Sequence, residues 1–117
     1  MRKGVMARRS WTLEAARELV GEVRKRTERA VLECDELMEQ REACAPDSQE
    51  GEALEARIQD VVGTWAREME ALGLEAKGVW LVDFDNGSGY YCWKWPETVL
   101  EWYHGYDEGF AGRIRIH

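Results

Sequence analysis

Proline and histidine are scarce in this chain, with two of each in 117 residues. Cysteine is little commoner: Cys34, Cys44 and Cys92. No two of them have the two-to-four-residue spacing of a zinc site or redox motif. The sequence therefore predicts no structural zinc and no cofactor. An odd, scattered set of cysteines reads instead as small buried hydrophobes in a reducing compartment. No run of about 18 apolar residues occurs, which excludes a transmembrane helix. The N-terminus lacks the apolar core of a secretory signal, so the expected location is cytoplasmic. There is no internal repeat and no low-complexity segment.

Positive charge is also short outside one place. Arg2, Lys3, Arg8 and Arg9 put +4 on the first nine residues of a chain whose net charge is −7. The remainder thus carries about −11 and repels phosphate backbones, so nucleic-acid binding by the folded part is not expected. The basic stretch, residues 1–10, reads as a flexible solvated arm. A chain of this length with 44% hydrophobic residues is expected to form a single domain over 1–117.

What is present is a sharp change of period. Leu13, Ala16, Val20, Val23, Thr27, Ala30, Cys34 and Leu37 are spaced alternately three and four, a heptad seam facing a partner helix. Thr12 is a good N-cap, and Trp11 before it can staple back onto Ala16. Pro46 stops this helix, and Asp47 or Ser48 caps a second. The second stripe is Leu54, Ile58, Val61, Trp65, Met69 and Leu72, closed by Gly73 as a left-handed cap. A short link permits only an antiparallel neighbour. Residues 12–72 are therefore predicted to form a long, coiled-coil-like helical hairpin. Val31, Met38 and Val62 widen its apolar faces beyond what two helices bury, which predicts a homodimer.

After Gly73 the period becomes two. Residues 78–117 hold four of the six Trp, all four Tyr and both Phe, and read as a small antiparallel β head of three or four strands. The first strand is expected from Val79 to Phe84 and the second from Tyr90 to Trp95. Between them, Asp85 to Gly89 is dense in residues that tolerate positive φ. Thr98 to His104 is the third strand, and Arg113 to Ile116 is a possible fourth at the edge. The fold class is thus α+β.

Several short segments occur in an order that resembles a known family. They are Trp-Thr-Leu-Glu-Ala-Ala at 11–16, Leu-Val-Asp-Phe at 81–84 and Tyr-Cys-Trp at 91–93. His104 then stands five residues before Gly109-Phe110-Ala111-Gly112-Arg113. Together they are similar to the small bacterial family labelled domain of unknown function 2203, from residue 11 onward. The resemblance implies a helical hairpin followed by a small β unit, and it implies no activity. The family pattern has Pro where this chain has Asp85, Pro where it has Gly21, and Trp where it has Tyr103.

Four side chains form the candidate polar site: Asp83, His104, Asp107 and Arg113. Asp83 continues the apolar row of Val79 and Leu81, and a buried carboxylate needs a partner. Arg113, behind a glycine-flanked turn that can bury Phe110, is the expected one, directly or through His104. The bland alternative makes Asp83 an Asx cap of the turn at 85–89. His104 with Asp107, Glu108 and Asp83 could be written as a metal or acid–base set, but a structural histidine bonded to backbone explains the pattern with less. The functional expectation is a non-enzymatic interaction or scaffold module that self-associates through its hairpin and has a protein partner. The alternative is a small-ligand binder or enzyme centred on Asp83, His104 and Arg113. A cavity joining those side chains would favour the second.

Overall fold

The computed structural model describes residues 10–117. The basic arm expected over 1–10 lies outside them apart from Ser10. Among the described residues, two helices, α1 (Leu13–Glu42) and α2 (Gln49–Ala71), precede five strands. These are β1 (Glu75–Gly78), β2 (Leu81–Asp85), β3 (Tyr90–Lys94), β4 (Trp102–His104) and β5 (Ile114–Arg115). Every strand pairs antiparallel with its chain neighbour, in the order β1-β2-β3-β4-β5. The α+β class holds, with one strand more than the three or four predicted. No helix among the described residues is long and apolar enough to cross a membrane.

The helix ends are set locally. The Thr12 hydroxyl accepts from the Ala15 amide at 3.0 Å, and Ser48 does the same for Gly51 at 3.0 Å, each satisfying one orphan donor of a first turn. At the far end of α2, Gly73 sits at φ 96°. Its amide and that of Leu74 return to Glu70 and Met69, the paired bonds of a Schellman cap, and Leu74 is buried beside them. The heptad seam of α1 is buried from Ala16 through Val20, Val23, Thr27, Ala30 and Cys34 to Leu37. Thr27 is the one polar member; its hydroxyl accepts from the Trp65 indole N–H at 2.8 Å.

Trp11 does more than staple the first turn. It is buried, packs edge-on to Phe84 with centroids 5.4 Å apart, and donates its indole N–H to the Gly73 carbonyl at 3.0 Å. Its backbone amide donates to the Asp85 carbonyl at 2.7 Å. One residue thus ties the start of α1 to both the end of α2 and β2.

The expected strand Val79–Phe84 is broken at its start. Val79 and Trp80 form the turn between β1 and β2, with Trp80 at φ 61°. A left-handed tryptophan costs about 1–2 kcal/mol. Its ring is held edge-on against Trp65 at 5.0 Å, a contact that offsets the strain. By strand alternation, Val82, Phe84 and Trp93 face the helices and are fully buried in the main core with Val23 and Met69. The segment before β4 is clamped to α1, where Arg17 donates to the Leu100 carbonyl and Arg24 to that of Glu97, each at 3.1 Å.

Candidate functional site

Alternation sends Asp83, Asp85, Cys92 and His104 to the sheet face away from the helices, and all four are nevertheless buried. Register explains which meet. Asp83 on β2 lies directly opposite Cys92 on β3, and Tyr90 opposite His104 on β4. His104 therefore stands diagonal to Cys92 and reaches across it. Its Nε2 is 3.0 Å from Asp83 Oδ2. The donor atoms of Asp83, Cys92 and His104 all lie within 4.8 Å of one another.

A lid of side chains closes this face. Lys77 on β1 reaches Asp83 Oδ2 at 3.2 Å and stands 4.0 Å above the Tyr90 ring. Burial works against the charge of Lys77, but the hydrogen bond and charge of Asp83 outweigh it and the pKa is raised. The Tyr106 hydroxyl donates to Asp85 Oδ1 at 2.6 Å while its ring packs edge-on to Tyr90. Arg113 lies over Phe110 and Trp102.

His104 Nδ1 faces the carbonyl oxygen of Gly105 at 2.8 Å. The Gly105 carbonyl and the Asp83 carboxylate are both acceptors, so each ring nitrogen is placed to donate, Nδ1 to Gly105 and Nε2 to Asp83. The second carboxylate oxygen, Asp83 Oδ1, is buried with no hydrogen-bond partner among the described residues. The neighbouring Cys92 thiol, a weak donor, faces the same carboxylate, and its hydrogen bond to Asp83 helps to keep the thiol protonated. Burial first, and then the negative charge of Asp83, push the Cys92 thiol up to about 12, although Arg113 pulls it down. Cys92 is thus a neutral thiol in the protein as it stands.

The predicted partner of Asp83 is corrected. Arg113 does not reach it; its guanidinium pairs with both oxygens of Glu97, at 2.8 and 3.2 Å, and its Nη1 is 4.0 Å from Cys92 Sγ. Glu97 is placed for this by its own turn, where Oε1 also accepts from the Lys94 amide. His104 and Lys77 take the place expected of Arg113. The Asx-cap reading of Asp83 fails as well, because Asp85 accepts from the Gly87 amide and Asn86 from those of Ser88 and Gly89. Asp107 is exposed and lies outside the cluster. Glu108 accepts from the Gly105 amide instead of facing inward. The turn at 110–112 forms, but Phe110 remains 42% exposed.

Sequence reasoning missed Cys92 and Lys77 as members of this centre. Cys92 was open to discovery, since a hairpin closing at Asp85 and Tyr90 places residue 92 opposite 83. Lys77 was hidden because the strand that carries it was not predicted.

The main grooves lie elsewhere. One, about 360 Å³, runs between the helices and is lined by Arg26, Arg29, Arg57, Asp60 and Trp65 among others. A second, about 450 Å³, separates α1 from the segment 98–101. Neither touches Asp83, Cys92 or His104.

No curated protein and no solved structure matches the chain. Its sequence does fit one family model, described as uncharacterized conserved protein (DUF2203), over residues 9–116. That match spans nearly the whole chain, which therefore belongs to the DUF2203 family.

Proposed function

We propose that this protein is a non-enzymatic interaction module of the bacterial cytoplasm that self-associates through its helical hairpin into a homodimer. One observation carries the reading. Arg17, Arg24, Val31 and Met38 form a single row along α1, one residue per heptad beside the buried seam. The first two are bonded to the β head. The last two continue along the row and are apolar, and Met38 is 50% exposed. Leu32, 60% exposed, lies off this row, about 100° further round the helix than Val31 and beside Glu33, Glu36 and Glu39. A second hairpin laid along this half would complete a four-helix bundle and remove that surface from water. The closed packing around Asp83 and His104, with neither main groove leading to it, supports an interaction role over turnover of a substrate.

Sedimentation equilibrium at micromolar concentration tests it. The expected result is a dimer mass that falls to the monomer in Leu32→Glu/Met38→Glu, with unchanged helical circular dichroism. A monomer mass for the unsubstituted chain would overturn the proposal. The second reading, a ligand site on the head, is favoured by the orphaned oxygen of Asp83.

A further inference from the structure

We propose that Asp83, Cys92 and His104 form a mononuclear binding site for a zinc-class divalent cation. The inference is independent of self-association and rests on the outer face of the sheet.

Three donors of different chemistry, a carboxylate oxygen, a sulfur and an imidazole nitrogen, converge from three adjacent strands within 4.8 Å of one another. Around a four-coordinate zinc ion with bonds of about 2.0–2.3 Å, donor atoms stand about 3.3–3.8 Å apart. The observed 3.0 Å between His104 Nε2 and Asp83 Oδ2 and the wider limit of the set bracket that spacing. Small side-chain rotations therefore admit an ion without moving a strand. Strands hold the ligands more rigidly than loops would.

The histidine ring is already oriented as such a site requires. Nδ1 is held by the Gly105 carbonyl, the outer-shell bond that orients metal-bound imidazoles, and a cation would take the place of the Nε2 proton that faces Asp83. Asp83 supplies an independent sign. The residue is 2% exposed, and Oδ1 has no partner among the described residues. Such an orphan is costly and rare in a native interior, and a bound cation would remove the cost.

Charge is balanced for a dication and for nothing larger. Asp83 and a Cys92 thiolate contribute two negative charges. Lys77 and Arg113 are each offset by a carboxylate of their own, Glu75 at 3.6 Å and Glu97 at 2.8 Å. Arg113, 4.0 Å from the sulfur, favours its thiolate form. Lys77 now occupies Asp83 Oδ2, but its side chain is 37% exposed and can withdraw to Glu75 and water. The mixed sulfur and nitrogen set selects against magnesium and calcium, which take oxygen ligands. Three protein ligands leave a fourth position open.

Cobalt(II) is the probe. Chelator-stripped full-length protein, kept reduced, is titrated with cobalt(II) and then with zinc(II). The expected result is one cobalt per chain with a thiolate-to-cobalt charge-transfer band, bleached by one equivalent of zinc. The band should vanish in Cys92→Ser and persist in Cys34→Ser/Cys44→Ser. No band in the unsubstituted protein at tenfold cobalt excess overturns the proposal, as does a band that survives Cys92→Ser. Should Cys92→Ser fail to fold, the unsubstituted chain still decides the matter. In mild urea, zinc should slow alkylation of the peptide containing Cys92 at least tenfold relative to those containing Cys34 and Cys44, and equal rates with and without zinc overturn the site.

Discussion

Replacing Asp83 by Ala and by Asn separates the charge of the buried centre from its hydrogen bonding. Asp83 Oδ2 accepts from His104 Nε2 at 3.0 Å and from Lys77 at 3.2 Å, while Oδ1 accepts from nothing among the described residues. Alanine leaves the buried Nε2 without a partner, which costs about 1–3 kcal/mol. Lys77 loses less, about 0–1 kcal/mol, because it is partly solvated and keeps Glu75. Removing the orphaned charged oxygen returns part of that loss. The expected net cost of Asp83→Ala is about 1–3 kcal/mol. Asparagine has the same shape, and its amide oxygen can accept from Nε2, so Asp83→Asn should cost under about 1 kcal/mol. Urea denaturation with chelator present, so that no bound ion contributes, measures both. A double-mutant cycle with His104→Ala should show coupling of about 1 kcal/mol or more. If Asn proved as damaging as Ala, the negative charge itself would be holding the centre, and the hydrogen-bond reasoning would be refuted.

Two other substitutions or conditions follow from the same interior. Thr27→Val keeps the shape of the seam but strands the Trp65 indole N–H, whose acceptor among the described residues is the Thr27 hydroxyl at 2.8 Å; thermal or urea melts should show a loss of about 1–3 kcal/mol, against under about 1.5 for Thr27→Ser. For Cys92, the folded-state pKa is raised from its ordinary 9.0 to about 12, so the folded protein holds a proton that the unfolded chain releases between those values. Stability contributed this way is complete below pH 9 and falls by at most about 1.4 kcal/mol per unit as pH rises towards 12. At pH 8, native-state alkylation followed by peptide mapping should label Cys44 well before Cys92, and rapid labelling of Cys92 would contradict its burial.

The helical half was legible because its physics is periodic. A heptad seam states which side chains meet a partner, and the positions from Ala16 to Leu37 are the ones the hairpin and head bury. The caps at Thr12 and Gly73 were equally readable, since each depends on a few neighbouring residues, and the second helix's cap was narrowed to Asp47 or Ser48, of which Ser48 is the one. The β head was readable only in outline. Val79-Trp80-Leu81-Val82 is a continuous apolar run, and nothing in it announces that Trp80 will adopt a positive φ. Tertiary contact with Trp65 overrides the local preference, so the strand that begins at Leu81 was started early, at Val79, and β1 was missed. The partner of Asp83 was misassigned for a similar reason. Arg113 could reach either of two acids, and the choice of Glu97 follows from a turn geometry that spacing does not encode.

The outer face of the sheet is the part that pattern reading treats least well. Alternation assigns it to solvent, yet Asp83, Asp85, Cys92 and His104 are buried there. What buries them is not a second layer of secondary structure but Lys77, Tyr106 and Arg113, side chains from an edge strand and a loop. A protein that needed only a stable sheet could leave this face wet at no cost. Covering it while enclosing a carboxylate with one unsatisfied oxygen costs stability, and such a cost persists when the enclosed group has work to do. The hairpin shows the opposite economy: its distal half leaves Leu32 and Met38 in water. Surface that is apolar and open suits a protein partner, whereas donors that are polar and closed suit a small cation. The two features lie on different faces of the molecule. Substitutions at Met38 should therefore leave cobalt binding unchanged, and Cys92→Ser should leave the sedimentation mass unchanged; cross-effects in either direction would show that the two sites are coupled through the sheet.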